Sequence, residues 1–318
     1  MPEKKVIITG ASGFVGKKLC GFLTRAGFPI RAVVRDKIAS PAHDIEIYDG
    51  VDLAKRQCPR GALAGGDCLV HLAGRVQVMD DPAEDPLQEF RKVNVEATLN
   101  LARQAACAGL RRFVFLSSVK VHGETTPDGM AFTEADHPAP GDPYAVSKLE
   151  AEQGLLEISR QSNMEVVIIR PPLVYGPGVK GNFRSLMTWI NKGTPLPLGG
   201  IKNKRSFVGV NNLIDFILTC MNHPAAANQI FLISDGEDIS TTELIKMMAQ
   251  AMNKPARLIP VPAFFLEPIA AIIGKRKMAQ RLFGSLQADI SKARKVLGWN
   301  APFNVREGLF HCIKNDGL

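Results

Sequence analysis

Val6-Ile7-Ile8-Thr9-Gly10-Ala11-Ser12-Gly13-Phe14-Val15-Gly16 decides the fold of this chain. A β-branched run gives way to three glycines spaced by three, and a helical pattern continues over 17–26. Without side chains, such a turn lets backbone N–H groups approach a pyrophosphate, and the helix behind it aims its positive dipole end at the charge. GxxGxxG spacing alone would also suit a plain tight turn. Its place after a strand, before a helix and near the N-terminus makes it a dinucleotide cradle.

Working outward, short apolar runs alternate with helical patterns. Strands are expected at 6–9, 30–34, 68–72, 113–117 and 166–170, with helices at 17–26, 87–108 and 144–162. A later strand at 229–234 follows a helix at 211–222 and returns to the same sheet. This alternation predicts an α/β fold, a Rossmann-type doubly wound parallel sheet covered on both faces. From Gly176 the character changes: Gly176-Pro177-Gly178 and Gly193-Thr194-Pro195-Leu196-Pro197-Leu198-Gly199-Gly200 are loop signals, and the tail is mostly helical. The expected division is a cofactor-binding domain over 1–175, with 207–235 returning to it, and a smaller, mostly helical C-terminal substrate lobe built from 176–206 and 236–318.

Composition narrows the partners. The formal net charge is +8, but the basic residues are scattered, and the short groups at 202–205 and 275–277 lack aromatic interleaving, which argues against nucleic acid. The six cysteines form no CxxC pair, and Cys20, Cys68 and Cys107 lie in apolar stretches that suit buried thiols in a reducing cytoplasm. The six histidines show no ligand spacing, so no metal is expected. Nothing at the N-terminus reads as a signal peptide. The most membrane-like stretch, 261–273, is too short to span a bilayer and is broken by Glu267 and Pro268. It reads as a substrate-lobe helix; peripheral membrane contact of 261–277 is left open.

The chemistry is carried by Tyr144-Ala145-Val146-Ser147-Lys148. Residues four apart share a helix face, where an ammonium would lower a phenol's pKa and hold it ready to move a proton. About 25 residues upstream, Phe113-Val114-Phe115-Leu116-Ser117-Ser118 is a buried strand ending in hydroxyls at the carboxyl end of a parallel sheet, where ligands sit. A nucleotide cradle with an activated tyrosine points to hydride transfer coupled to proton transfer. At the end of the second strand, Ala32-Val33-Val34-Arg35-Asp36-Lys37 places Val34 where a ribose-binding carboxylate is usual, with Arg35 next. This favours NADP over NAD; in the NAD reading Asp36 is the ribose ligand.

Over essentially its whole length the chain resembles the extended short-chain dehydrogenase/reductases, the NAD-dependent epimerase/dehydratase family. It falls in the branch of UDP-glucose 4-epimerase-like nucleotide-sugar enzymes of bacterial surface-polysaccharide pathways. Thr9 to Gly16 looks like the family's cofactor turn, His71-Leu72-Ala73-Gly74 like its cofactor-touching strand, and Asn94 like its structural asparagine. Ser118, Tyr144 and Lys148 match the catalytic serine, tyrosine and lysine. The resemblance implies cofactor contacts at Gly10, Ser12, Gly13, Phe14, Val15, Gly16, Arg35, Asp52, Leu53, Leu72, Ala73, Gly74, Asn94, Tyr144, Lys148 and Pro171. It implies substrate contacts at Ser118, Val119, Tyr144, Asn182 and Arg205, with Arg205 clamping a diphosphate. A homodimer through the helices at 87–108 and 144–162 is implied by the same analogy.

Two departures matter. Val121-His122-Gly123 replaces the family's Val-Tyr-Gly, and His122 reads as packing. The carboxylate pair that sugar dehydratases carry after the serine is Val119-Lys120 here, and valine cannot move a proton, so a dehydratase is excluded. A 4-epimerase of a UDP-hexose or UDP-N-acetylhexosamine stands first. An NADPH-dependent 4-keto-sugar reductase is the alternative, and a non-catalytic NADP-binding regulator is the reading from another class. Whether the carrier is UDP or a lipid diphosphate is open.

Overall fold

In a computed structural model, residues 5–36, 45–55, 57–76, 83–262, 264–266, 268 and 276–314 are described. The apolar runs become strands whose alternate residues enter different cores. In β1 (Lys5–Thr9), Val6 and Ile8 join one buried cluster and Ile7 the other. This period of two is what a sheet covered on both faces demands. The remaining strands are β2 (Ile30–Val33), β3 (Ile45–Tyr48), β4 (Gly66–His71), β5 (Arg112–Leu116), β6 (Glu165–Arg170), β7 (Leu173–Tyr175), β8 (Arg205–Gly209), β9 (Gln229–Leu232) and β10 (Asp238–Ile239).

The helices are α1 (Phe14–Arg25), α2 (Arg60–Leu63), α3 (Pro86–Phe90), α4 (Ala97–Cys107), α5 (Pro143–Arg160), α6 (Gly181–Asn191), α7 (Val210–Asn222) and α8 (Thr241–Ala251). Further helices at Arg276–Phe283, Ser291–Leu297 and Val305–Lys314 follow. Leu19, Leu23, Leu213 and Ile217 from α1 and α7 fill one side of the sheet, and Leu101, Ala102, Leu155 and Ile158 from α4 and α5 the other. The seven-stranded sheet has the order β3-β2-β1-β4-β5-β6-β9, parallel throughout. The chain winds outward from β1 and then crosses back to β4. The crevice beyond the carboxyl ends of β1 and β4 is therefore the switch point where such sheets take ligands.

The doubly wound sheet agrees with the sequence reading, and three details differ. β3 escaped notice because its four residues include Glu46 and its apolar neighbours are only half-buried. A second sheet, β10-β8-β7, was also missed; these strands are short and lie among loop signals. The helix expected at 87–108 is interrupted, since Arg91–Glu96 between α3 and α4 winds as a π-helix. Such a bulge inserts an extra residue per turn and often marks a site.

Cys20 and Cys68 are buried, but Cys107, in the last turn of α4, is exposed, correcting its reading as a buried thiol. Of the stretch 261–273, most lies outside the described residues; Phe264 and Phe265 are described, and both are exposed. Among the described residues, no helix is long and apolar enough to cross a membrane, and no cluster of His, Cys, Asp and Glu could hold a metal.

Candidate active site

The turn from β1 to α1 is built almost entirely from backbone. Gly10 lies at φ +68°, and a Cβ there would meet the Ala73 backbone nitrogen at 2.6 Å. A Cβ on Gly16 would lie 2.1 Å from the Gly10 carbonyl oxygen. Gly13 caps α1 without a side chain, so this 12-residue helix opens toward the crevice with backbone alone. The shape and the helix dipole fit a dinucleotide diphosphate. Ser12, Phe14 and Val15 belong to the same turn, and Phe14 packs against both the sheet core and the cluster under the second sheet.

Across the crevice, Leu72, Ala73 and Gly74 leave the end of β4 and are pinned by Asn94 from the π-helical turn. Asn94 Oδ1 accepts the Arg75 N–H (2.8 Å), while Asn94 Nδ2 donates to the Arg75 carbonyl (3.0 Å) and to Ser147 Oγ (3.0 Å). Ser147 Oγ donates in turn to the Tyr144 carbonyl (2.8 Å), so one asparagine joins the crevice loop to α5. His71 bridges Thr9 and Thr98 at 2.7 and 2.9 Å, and burial, aided by Lys148, drives its pKa down to about 3. It is a neutral bolt between the strands.

Beyond β2, Val34 is buried while Arg35 and Asp36 project into solvent and pair at 3.2 Å. Asp52 Oδ1 accepts the Ala54 N–H (3.1 Å), and Leu53 packs against the core below.

The other wall of the site is made of side chains. Ser118 ends the run after β5 and caps the short 3₁₀ turn Val119–Val121, accepting the Lys120 N–H at 3.3 Å. Tyr144 is the second residue of α5, after Pro143, and Asp142 caps that helix by accepting the Ala145 N–H (2.7 Å). The Ser118 hydroxyl faces the Tyr144 phenol, and both line the same cavity. Lys148, one turn on, donates to the Leu116 carbonyl (2.9 Å) and lies 4.5 Å from the centre of the Phe115 ring and 6.0 Å from that of Tyr144.

Here one electrostatic expectation is reversed. Burial pushes the Tyr144 phenol up to about 12, with Asp142 adding to the rise and Ser118 opposing it. Burial also brings Lys148 down to about 8, against the pull of Glu152. Desolvation outweighs the ammonium because Lys148 is turned toward the Leu116 carbonyl and the Gly74 loop rather than onto the phenol.

Behind this wall is a buried ionic frame. Glu152 receives Arg170 Nε (3.0 Å) and Nη2 (2.5 Å) and also accepts the Ser117 hydroxyl, while Arg170 Nη1 donates to His122 Nε2 (2.8 Å). His122 stacks on Phe132, in agreement with a packing role, and burial followed by Arg170 lowers its pKa to about 4. The frame fixes the ends of β5 and β6, where Val119 donates its N–H to the Pro171 carbonyl (3.0 Å).

These elements enclose a cavity of about 450 Å³. Ser118, Val119, Tyr144, Asn182 and Arg205 all line it, so the side chains expected to meet a substrate are brought together. Asn182 sits in the first turn of α6, and Arg205 begins β8 with Nη1 donating to the Gly284 carbonyl (2.8 Å). Burial first, then repulsion from Arg281, brings Arg205 down to about 10, with Glu124 opposing. Such a half-buried guanidinium gains from an anionic ligand.

The model of the NAD dependent epimerase/dehydratase family matches residues 6–234. The chain belongs to that family. A UDP-glucose 4-epimerase from Vibrio cholerae is 44% identical, with 96% of this chain and 93% of that protein aligned. An N-acetyl-α-D-glucosaminyl-diphospho-ditrans,octacis-undecaprenol 4-epimerase from Escherichia coli O157:H7 is 29% identical over 97% of this chain and 94% of its own length. Among solved structures, MoeE5 in complex with UDP-glucuronic acid and NAD superposes with a TM-score of 0.76 at 25% identity, covering 98% of both chains.

The cavity of this family member also holds residues that motif reading missed as site residues. Lys120, Glu124 and Arg281 line it, as do the apolar side chains of Phe183, Phe207 and Leu244. Lys120 and Glu124 carried a signal in their i,i+4 spacing, the usual spacing of a local ion pair. Arg281 had none, because it reaches the cavity from a helix far along the chain.

Proposed function

We propose that the protein is a nucleotide-sugar 4-epimerase acting at C4 of a UDP-hexose or UDP-N-acetylhexosamine by reversible hydride transfer to NAD(P). The observation that carries this is the facing Ser118–Tyr144 pair at the wall of a cavity that also holds Asn182 and Arg205. The 44% identity to a UDP-glucose 4-epimerase supports the same reading.

Bound in the cradle formed by Gly10, Ser12, Gly13, Phe14, Val15 and Gly16, NAD(P) supplies the hydride acceptor and donor. Leu72, Ala73, Gly74, Asn94 and Pro171 border that site, and Asp52 and Leu53 its far end. Tyr144 takes the proton of the sugar's 4-hydroxyl and later returns one to the C4 oxygen. Ser118 holds the phenol and that oxygen in line. Lys148 supplies the positive charge that a phenol held near 12 needs before it can act as a base. Arg205 and Asn182 hold the diphosphate, with Arg281 adding positive charge, and Val119 packs on the sugar. Epimerisation requires the keto-sugar to present its other face, and a cavity of about 450 Å³ gives it room. Glu124, the carboxylate of this wall, is held by Lys120 at 2.7 Å, which leaves elimination of water without a ready acid–base pair.

The proposed division is a cofactor-binding domain over 1–175 and 207–235 and a substrate lobe over 176–206 and 236–318, of which Ala293, Leu297 and Trp299 pack into the sheet core. Dimerisation through the helical stretches at 87–108 and 144–162 is proposed by family analogy. Turnover of UDP-glucose and UDP-N-acetylglucosamine, followed by NMR with NAD⁺ or NADP⁺ present, tests the reading. Tyr144→Phe should lower turnover roughly 10²- to 10⁴-fold while dinucleotide affinity holds. Near-normal turnover in that variant would overturn the assignment.

Arg35 favours a second reading, an NADPH-dependent 4-keto-sugar reductase, because Val34 stands where a ribose-binding carboxylate is usual. If Arg35 binds a 2′-phosphate, Arg35→Ala should weaken NADPH roughly 10- to 100-fold and leave NADH unchanged. Co-purified NAD⁺ would favour the epimerase, whose cofactor is regenerated in place.

A further inference from the structure

We propose that Lys120 is a positioning residue for Tyr144: its ammonium joins Glu124 to Asp142 and so ties the turn carrying Ser118 to the cap of helix α5. The inference rests on the epimerase-type reading of the site.

The geometry is specific. Lys120 Nζ lies 2.7 Å from Glu124 Oε1 and 2.9 Å from Asp142 Oδ2, and all three side chains are at least four-fifths buried. The Lys120 backbone N–H meets Ser118 Oγ at 3.3 Å, so one residue touches both partners of the Ser118–Tyr144 pair, the serine directly and the tyrosine through Asp142. Asp142 keeps its cap on Ala145 at 2.7 Å without any help from Lys120. Removing the ammonium therefore leaves α5 able to form while cutting its lateral tie to the serine turn.

It also changes the field at the phenol. Tyr144 is faced by Asp142 from its own cap, by Ser118 from the turn after β5, by Lys148 one helical turn on, and by the Phe90 ring from α3. Lys120 is faced by Glu124 and Asp142, which also face each other, and Glu124 in turn by Arg281 at 3.9 Å and by Arg205. Asp142 favours the neutral phenol, and Lys120 offsets that carboxylate. Without Lys120 the phenol holds its proton to higher pH, so the acid limb of the direction in which Tyr144 accepts a proton moves upward.

The test uses the full chain with NAD⁺ and UDP-glucose, comparing wild type, Lys120→Met, Lys120→Arg, Lys120→Met/Asp142→Asn and Tyr144→Phe. In Lys120→Met the acid limb should rise by about one unit, with kcat falling about tenfold below it and KM nearly constant. Arginine at 120, or removal of the Asp142 charge in the double variant, should bring the limb back. The same shift is readable without turnover as phenolate absorbance, wild type minus Tyr144→Phe, in NAD⁺-loaded protein. A limb that stays in place overturns the proposal whatever the loss in kcat, as does a pure rise in KM, which would make Lys120 a substrate contact. Should Lys120→Met fail to bind NAD⁺, Lys120→Gln against Lys120→Arg carries the comparison, and identical limbs overturn the proposal. An active Tyr144→Phe sinks the site reading and this inference together; an inactive one with an unmoved limb sinks only the inference.

Discussion

The two walls of the crevice are built on different principles. The cradle from Gly10 to Gly16 is contiguous and made of backbone, and its specification is that side chains be absent. The facing wall gathers Ser118, Lys120, Glu124, Tyr144, Arg205 and Arg281 from the segment after β5, two helices and a strand, and it meets the cavity through side chains. A backbone site resists addition, because an extra Cβ on Gly10 or Gly16 would collide within 3 Å. A side-chain site tolerates no deletion, because each buried charge is balanced by another.

The largest test of this contrast strikes the frame behind the side-chain wall. Glu152→Ala leaves Arg170 as an uncompensated buried charge and should destabilise the protein by about 3–5 kcal/mol in chemical denaturation. A loss below 1 kcal/mol would mean the frame relaxes or takes in water. Next, Arg205→Ala removes charge-assisted contacts worth about 1.5–3 kcal/mol, so KM for a UDP-sugar should rise roughly 10- to 100-fold with kcat little changed. A pure kcat effect would place Arg205 in the chemistry instead.

On the cradle side the perturbation is an addition. Gly16→Ala should cost about 1–3 kcal/mol of strain, seen as roughly ten- to hundredfold weaker dinucleotide binding in titration calorimetry. Unchanged affinity would show that the turn opens without cost. The smallest effect is expected at the sheet edge, toward the amino ends of the strands. Bonds from Lys5 and Arg31 hold the Glu46 carboxyl at about 2, below its ordinary 4.5. A depressed folded pKa gives stability that is present above about 4.5 and lost as pH falls toward 2. Because Glu46 is over a third exposed, screening limits this to under about 1 kcal/mol. Glu46→Gln should flatten that small acid slope in thermal melts.

How much was legible follows the same divide. The strand periodicity of β1, β5 and β6 and the glycine spacing were readable because each depends on neighbours within a few residues. β3 was not, since four half-buried residues around Glu46 carry too little hydrophobic signal. The side chains of Tyr144, Lys148 and Ser118 were found through motif resemblance, but the state of the phenol was not. Sequence spacing suggested that Lys148 would lower it, whereas burial and Asp142 hold it near 12. Cys107 shows the reverse error, an apolar context that the last turn of α4 nevertheless leaves exposed.

By itself the sequence determined the parallel sheet and the glycine turn that opens α1, because periodicity and glycine placement act locally through backbone geometry. Only the tertiary structure decided that Lys120 spans Glu124 and Asp142, that Arg281 comes to stand beside Arg205, and that desolvation governs the phenol. Those outcomes depend on distances between segments up to some 160 residues apart and on how much water the packed elements exclude, and neither quantity is written in any short stretch of chain.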